Sequence, residues 1–290
     1  MSVILVTGSS TGIGQESALN MARKGHDVYA ACRSPDTADD LKEKIAAESL
    51  SVNIIKLDLV DPASIESAVA EIMAKSGRID ALVNNAGIGG GRAVEETTID
   101  EVREIFETNY FGNVNVLRAV TPIMRQQNYG RIVTVGSLAG RVPMGCHAHY
   151  SASKWAMEGL SECLAQEMAE FNVKVAIIEP GCVLTPIWGK GSLPTEPSPY
   201  QKSLERLGRF FEFGLRRPAM PDDVASAIAH AIESDKPHFR YPIGPDAVET
   251  VAARAKVSDD EWMEANCLQG EAFYDRWQEL VGVDYFRDAK

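Results

Sequence analysis

The sequence predicts an α/β domain built on a doubly wound parallel sheet with helices on both faces. Three observations predict it. Short apolar runs alternate with longer segments of helical periodicity along most of the chain. The first run, Ser2 to Thr7, leads into Gly8-Ser9-Ser10-Thr11-Gly12-Ile13-Gly14 and then into a helical pattern of Ala18, Leu19, Met21 and Ala22. Finally, the polar residues that suggest chemistry fall at the carboxyl ends of these runs or in the element just after, where open α/β sheets bind ligands.

The composition fits one large soluble domain. With 290 residues and 45% hydrophobic content, the chain can bury a sizeable core. A net charge of −12 would be repelled by phosphate backbones and anionic lipid, so neither nucleic acid nor a membrane is expected as a partner. No basic leader or long apolar span is visible, and a cytoplasmic protein is expected. The five cysteines, Cys32, Cys146, Cys163, Cys182 and Cys267, are odd in number and widely spaced, which predicts reduced thiols. His147 and His149 form a lone His-x-His in a loop, and no metal site is expected there.

In the glycine turn, Gly8 permits the tight turn, Gly12 removes a side chain where a phosphate must approach, and Gly14 lets the helix pack on the strand. That arrangement lets backbone N–H groups and a helix N-terminus meet a pyrophosphate. Asp27 to Ala31 is a second strand, followed by Cys32-Arg33-Ser34 with no acid at the strand end. A carboxylate there would favour NAD(H); a cation suits a 2′-phosphate, so Arg33 predicts NADP(H) over NAD(H). Thr11 in the glycine turn supplies no second basic residue.

A polar helix is predicted over 35–48 and a third strand over 52–57. Asp58 then either accepts from an adenine amino group or caps a turn, and Asp61-Pro62 opens the next helix. Ile79 to Val83 is the fourth strand, ending in Asn84-Asn85-Ala86-Gly87. Small residues there let a flat ring or ribose approach, and a buried asparagine can tie neighbouring strands. Gly89-Gly90-Gly91 predicts a mobile loop near the site. One long helix is predicted over 99–125, with Asn109 near its middle holding a carbonyl or a water.

Gly130 to Val135 is the fifth strand, with Ser137 just beyond it. Tyr150 and Lys154 then start a helix carrying Trp155, Met157, Leu160, Leu164 and Met168, and stand four residues apart on one face. A free phenol titrates near pH ~10 and a neighbouring cation favours its anion. Lowering it by about 3 units needs ~4 kcal/mol of differential interaction, hence a second positive charge, which a nicotinamide would supply. Val173 to Glu179 is the sixth strand, ending in Pro180-Gly181, with Thr185 close behind.

Taken together, Thr7-Gly8-x-x-x-Gly12-Ile13-Gly14, Asp58, Asn84-Asn85-Ala86-Gly87, Asn109, Ser137, Tyr150-x-x-x-Lys154, Pro180-Gly181 and Thr185 resemble the short-chain dehydrogenase/reductase family. The match spans about residues 3 to 186 and looks like the family's compact branch. The resemblance implies a Rossmann-type seven-stranded sheet in the order 3-2-1-4-5-6-7, and a homodimer or homotetramer. It implies a catalytic set of Asn109, Ser137, Tyr150 and Lys154, with Ser137 on the substrate carbonyl and Tyr150 as proton donor. Lys154 would lower the phenol and hold the nicotinamide ribose, and Asn109 would hold a water linking Lys154 to solvent.

For the cofactor, the resemblance implies Gly8, Ser10, Thr11, Gly12, Ile13 and Gly14 around the phosphates, with Arg33 at the ribose end. Asp58 and Leu59 would meet the adenine, and Asn85, Ala86 and Gly87 the ring or ribose. Tyr150, Lys154, Pro180, Gly181, Val183 and Thr185 would surround the nicotinamide.

Past Thr185, a segment over 186–220 opens with Pro194, Pro197 and Pro199 and holds Trp188, Leu193, Tyr200, Leu204, Leu207, Phe210, Phe211 and Phe213. It is expected to cover a sizeable, mostly apolar carbonyl or alcohol, although such rings also fill cores and interfaces. Pro221 to Val224 begins another helix and Phe239 to Pro242 a seventh strand, which closes a single domain over 1–245. The remaining 246–290, about 30 to 40 residues beyond the fold's need, includes Trp262, Phe273, Tyr274 and Trp277 and predicts a helical extension packed on that domain. A ketone reductase or alcohol dehydrogenase leads, with a cofactor-sensing protein or an isomerase or dehydratase on the same fold as alternatives.

Overall fold

The computed structural model describes residues 1–189 and 197–287. The strands are β1 (Val3–Thr7), β2 (Asp27–Cys32), β3 (Val52–Lys56), β4 (Ala81–Asn84), β5 (Gly130–Val135), β6 (Val173–Pro180) and β7 (Arg240–Ile243). They form one parallel sheet in the order β3-β2-β1-β4-β5-β6-β7. This is the doubly wound fold the sequence predicts. Its inner strands are apolar at nearly every position because both faces are covered, as in β1, where all five residues are buried.

Alternation along β1 divides the core. Ile4 and Val6 join one cluster; Val3 and Leu5 join the other. The first cluster takes in Ala18, Leu19 and Met21 of α1 (Gly12–Arg23), Leu41 of α2 (Asp39–Ala47), and Val224, Ile228 and Ile232 of α8 (Pro221–Glu233). The second contains Ile65, Val69 and Ile72 of α3 (Pro62–Ser76), Val116, Val120 and Met124 of α5 (Asn113–Gln127), and Leu164 and Met168 of α6 (Ala148–Met168). Glu233 at the end of α8 also pairs with Lys24 at 2.9 Å, tying α8 to α1.

Two helices differ from expectation. The predicted helix over 35–48 splits into a 3-10 turn, Pro35–Thr37, and α2. The long helix over 99–125 is interrupted: α4 (Ile99–Phe106) passes into a π-helical stretch, Glu107–Gly112, before α5. Asn113 donates its side-chain amide to the carbonyls of Thr108 at 3.2 Å and Asn109 at 2.9 Å, satisfying acceptors in the widened turn.

A third cluster joins α7 (Gln201–Arg216) to α9 (Pro245–Arg254), α10 (Asp259–Cys267) and α11 (Gly270–Val281). Phe210 stacks on Tyr285 with ring centroids 5.2 Å apart, and Trp262, Phe273 and Trp277 are buried with them. Leu204 and Leu207 pack instead with Ala93 and Cys146. These four side chains, Leu204, Leu207, Phe210 and Trp277, therefore fill interior; Leu193 and Pro194 lie outside the described residues. Among the described residues no helix is long and apolar enough to cross a membrane, and no cluster of three or more His, Cys, Asp or Glu could hold a metal ion.

Candidate active site

The glycine turn leaves β1 at the middle of the sheet. Gly8 and Gly12 have φ of +69° and +64°, backbone that other residues rarely adopt. A methyl group added at Gly8 would stand 2.9 Å from Ala86, and one at Gly14 would overlap the Gly8 carbonyl oxygen. The turn is stapled to the end of β4: Asn85 donates its amide to the Thr7 carbonyl at 2.9 Å, while Thr7 Oγ1 accepts from the backbone N–H of Asn85 and Ala86 at 3.0 and 3.1 Å.

Ser10, Thr11, Gly12 and Ile13 are partly exposed along the turn and the start of α1. Thr11 caps that helix without a side-chain hydrogen bond, and the first turn of α1 has no acid. Its N-terminal amides thus keep donors and positive potential for an anion. Arg33, just past β2, is exposed. Asp58 accepts from the Val60 N–H at 3.2 Å, so one of its oxygens caps a turn; Leu59 is buried beside it.

Asn109 lies in the π-helical stretch and is 1% exposed. Its amide clasps the backbone of one residue in the loop after β4, accepting from Ile88 N–H at 2.8 Å and donating to Ile88 C=O at 2.9 Å. It also donates to Ser153 Oγ at 3.1 Å. A methyl group at Gly87 would sit 3.1 Å from Asn109 Oδ1 and 3.7 Å from Lys154 Nζ, so these three residues meet at one spot.

Ser137, Tyr150 and Lys154 converge between β5 and α6. Ser137 Oγ accepts from the Ala139 N–H at 3.1 Å and interacts with the Tyr150 phenol. Lys154 Nζ donates to the Val135 carbonyl at 3.0 Å and lies 5.8 Å from the Tyr150 ring centroid. Burial pushes the Lys154 ammonium down from 10.5 to about 8, partly opposed by the carboxylate of Glu158.

Burial also pushes the Tyr150 phenol up, opposed by its hydrogen bond with Ser137. Desolvation of the anion is thus the larger of these two effects. His147 stacks on the Tyr150 ring at 4.6 Å, and burial pushes its imidazole down to about 4, so it is neutral near pH 7. Tyr150, His147, His149, Arg92, Glu104 and Ile187 line part of a cavity of about 340 Å³ that reaches the glycine-rich loop Gly89-Gly90-Gly91. Phe211 meets His147 edge-on at 5.6 Å and Trp188 at 5.1 Å, bringing two of the predicted aromatic side chains to the site.

Across the crevice, β6 ends at Pro180, and Gly181 and Val183 lie in the turn after it. Thr185 completes it, its side chain 3.3 Å from where a methyl group on Gly12 would be. All the sequence-predicted residues except Arg33, Asp58 and Leu59 thus gather between the ends of β1, β4, β5 and β6; those three lie at the β2 and β3 ends. Asn113 and Asp246 were not anticipated. Asn113 bridges the Ala86 carbonyl at 3.2 Å to the π-helical stretch, and its signal was a second asparagine one helical turn after Asn109. Asp246 holds the Cys182 N–H at 2.7 Å from far along the chain, which local sequence does not signal.

Residues 2–193 match a family model described as short chain dehydrogenase. The protein named oxidoreductase BOA17 from Botryotinia fuckeliana is 36% identical over 269 residues, covering 89% of this chain and 96% of that one. The 3-ketodihydrosphingosine reductase of Bacteroides thetaiotaomicron is 34% identical over 270 residues, covering 92% and 95%. Among solved structures, a short-chain dehydrogenase from Streptomyces avermitilis superposes with a TM-score of 0.81 at 35% identity, covering 91% of this chain and 95% of that one.

Proposed function

The chain belongs to the short-chain dehydrogenase family of oxidoreductases, and we propose that it exchanges a hydride between NADP(H) and the carbonyl or secondary alcohol of a sizeable, mostly apolar substrate. The observation that carries this reading is the Tyr150 phenol, facing Ser137 and backed by the Lys154 ammonium at the edge of a cavity. Ser137 Oγ holds the substrate oxygen. Tyr150 delivers a proton to that oxygen in reduction and takes it back in oxidation.

Lys154 favours loss of the phenolic proton, and Asn109 fixes the loop at Ile88 that borders the cavity. Trp188 and Phe211 supply an apolar wall. The residues present fit a dinucleotide, since uncapped amides at the start of α1, with no acid in the first turn, suit a pyrophosphate. When bound, the nicotinamide supplies or accepts the hydride. Exposed Arg33, with no acid at the end of β2, supports NADP(H). A relative whose name is that of a ketone reductase supports the carbonyl chemistry.

Exposed Trp155 on α6 and Phe111 in the π-helical stretch support a homodimer or homotetramer. The test is a panel of ketones and alcohols followed by nicotinamide absorbance, with Tyr150→Phe alongside. Turnover by the wild type and its loss in the variant, with nucleotide binding retained, supports the reading. No turnover across the panel, or full activity in the variant, refutes it.

A further inference from the structure

Asp246, near the start of α9, is 3% exposed and makes no ion pair among the described residues. Its surroundings are shaped to receive a carboxylate. Oδ2 accepts from the Cys182 backbone N–H at 2.7 Å, the Cys182 thiol stands beside the carboxylate, and Oδ1 has no hydrogen-bond partner among the described residues. Glycines from three separate parts of the chain make room for it. A methyl group on Gly181 would overlap both oxygens, one on Gly244 would lie 2.9 Å from Oδ1, and one on Gly214 of α7 would lie 3.4 Å from Oδ2.

Burial pushes the carboxyl up while the N–H donors oppose that shift. A buried carboxylate with a free oxygen is costly, so packing alone accounts poorly for it.

What this carboxylate holds is the turn after β6. Ala219 donates to the Cys182 carbonyl and accepts from Leu184, both at 3.0 Å, so the turn is fixed on its far side too. Three residues beyond Cys182, Thr185 reaches the space over Gly12. We propose that Asp246 is a positioning residue for the dinucleotide site: it sets the path of Pro180 to Thr185 so that this turn closes against the glycine turn. The helices after residue 245 are thereby linked to cofactor affinity. This inference rests on the reading of the chain as an NADP(H) enzyme.

The test uses the full chain and two readouts: NADPH affinity by fluorescence titration, and amide exchange of the Cys182 region in nucleotide-free protein. A charge-assisted hydrogen bond of this kind predicts that Asp246→Asn weakens NADPH by about 10-fold or more. Exchange at Cys182 should speed up, while KM for a carbonyl substrate changes by less than about 2-fold. Gly181→Ala should weaken NADPH strongly alone, but by less than about 3-fold in an Asp246→Ala background, where the overlap is relieved.

Wild-type affinity and exchange in the Asn variant, or additive effects in that cycle, overturn the proposal. Should Asp246→Asn not fold, the Gly181 and Asp246 cycle decides. A wild type that binds neither NADPH nor NADH refutes the enzyme reading, and the exchange measurement still reports whether Asp246 holds the turn.

Discussion

Lys154 Nζ is bonded at 3.0 Å to the carbonyl of Val135, the last residue of β5 and two before Ser137. One ammonium therefore ties the helix bearing the phenol to the strand that leads into the serine. Lys154→Met removes both the tie and the charge, and kcat should fall by about 10²–10⁴-fold. Lys154→Arg should rescue little, because a planar guanidinium does not fit a site shaped for a point charge. Steady-state kinetics on both variants checks this.

The same burial gives Lys154 a pH signature. Its folded value is about 8 against 10.5 for the free group, so between these the unfolded chain holds the extra proton. This contribution to stability should therefore rise with pH across that window. Carbonyl reduction should decline as pH climbs through about 8 and the ammonium is lost. Denaturant melts and pH–rate profiles of wild type and Lys154→Met check both; an unchanged stability slope in the variant contradicts the assignment.

His147 acts at the acid end. Its imidazole takes a proton near 6.5 when unfolded but only near 4 when folded, so the unfolded chain binds more protons between these values. Stability is lost as pH falls through that range, by at most about 3 kcal/mol from this group. His147→Phe keeps the stack on Tyr150 and should flatten the acid limb. Urea unfolding at pH 7 and pH 5 measures the difference.

Arg33→Asp should reverse cofactor order, weakening NADPH and strengthening NADH by electrostatics at the 2′ position. The ratio of kcat/KM for the two nucleotides reports it, and an unchanged ratio would make Arg33 a bystander.

Asn113→Ala leaves carbonyls of Ala86, Thr108 and Asn109 without their donor. The loss should be about 2 kcal/mol, or roughly 4–8 °C in Tm. Calorimetry tests the stability, and faster amide exchange at 107–112 would locate the damage.

Much of this architecture was legible because buried parallel strands write themselves as apolar runs, and the turns after them as glycine, asparagine and serine. The clasp of Asn109 on Ile88 supplies the backbone carbonyl that was one of the two partners expected for its amide. The π-helical stretch was not legible, because apolar periodicity runs on through Phe106, Tyr110 and Phe111 and one extra residue per turn barely disturbs it. How far burial pushes the Tyr150 phenol up was not legible, because a sequence displays its neighbouring lysine but not how much water the fold removes. Asp246 escaped notice since its partners lie 64 residues away along the chain.

The packing of α8 on α1 also bears on synthesis. Leu19 and Met21 are covered in part by Val224 and Ile228, side chains that leave the ribosome long after them. A nascent chain thus exposes that apolar helix face until about Glu233 has emerged, giving holdase chaperones an early target and making translation stalls in the later segment an occasion for aggregation.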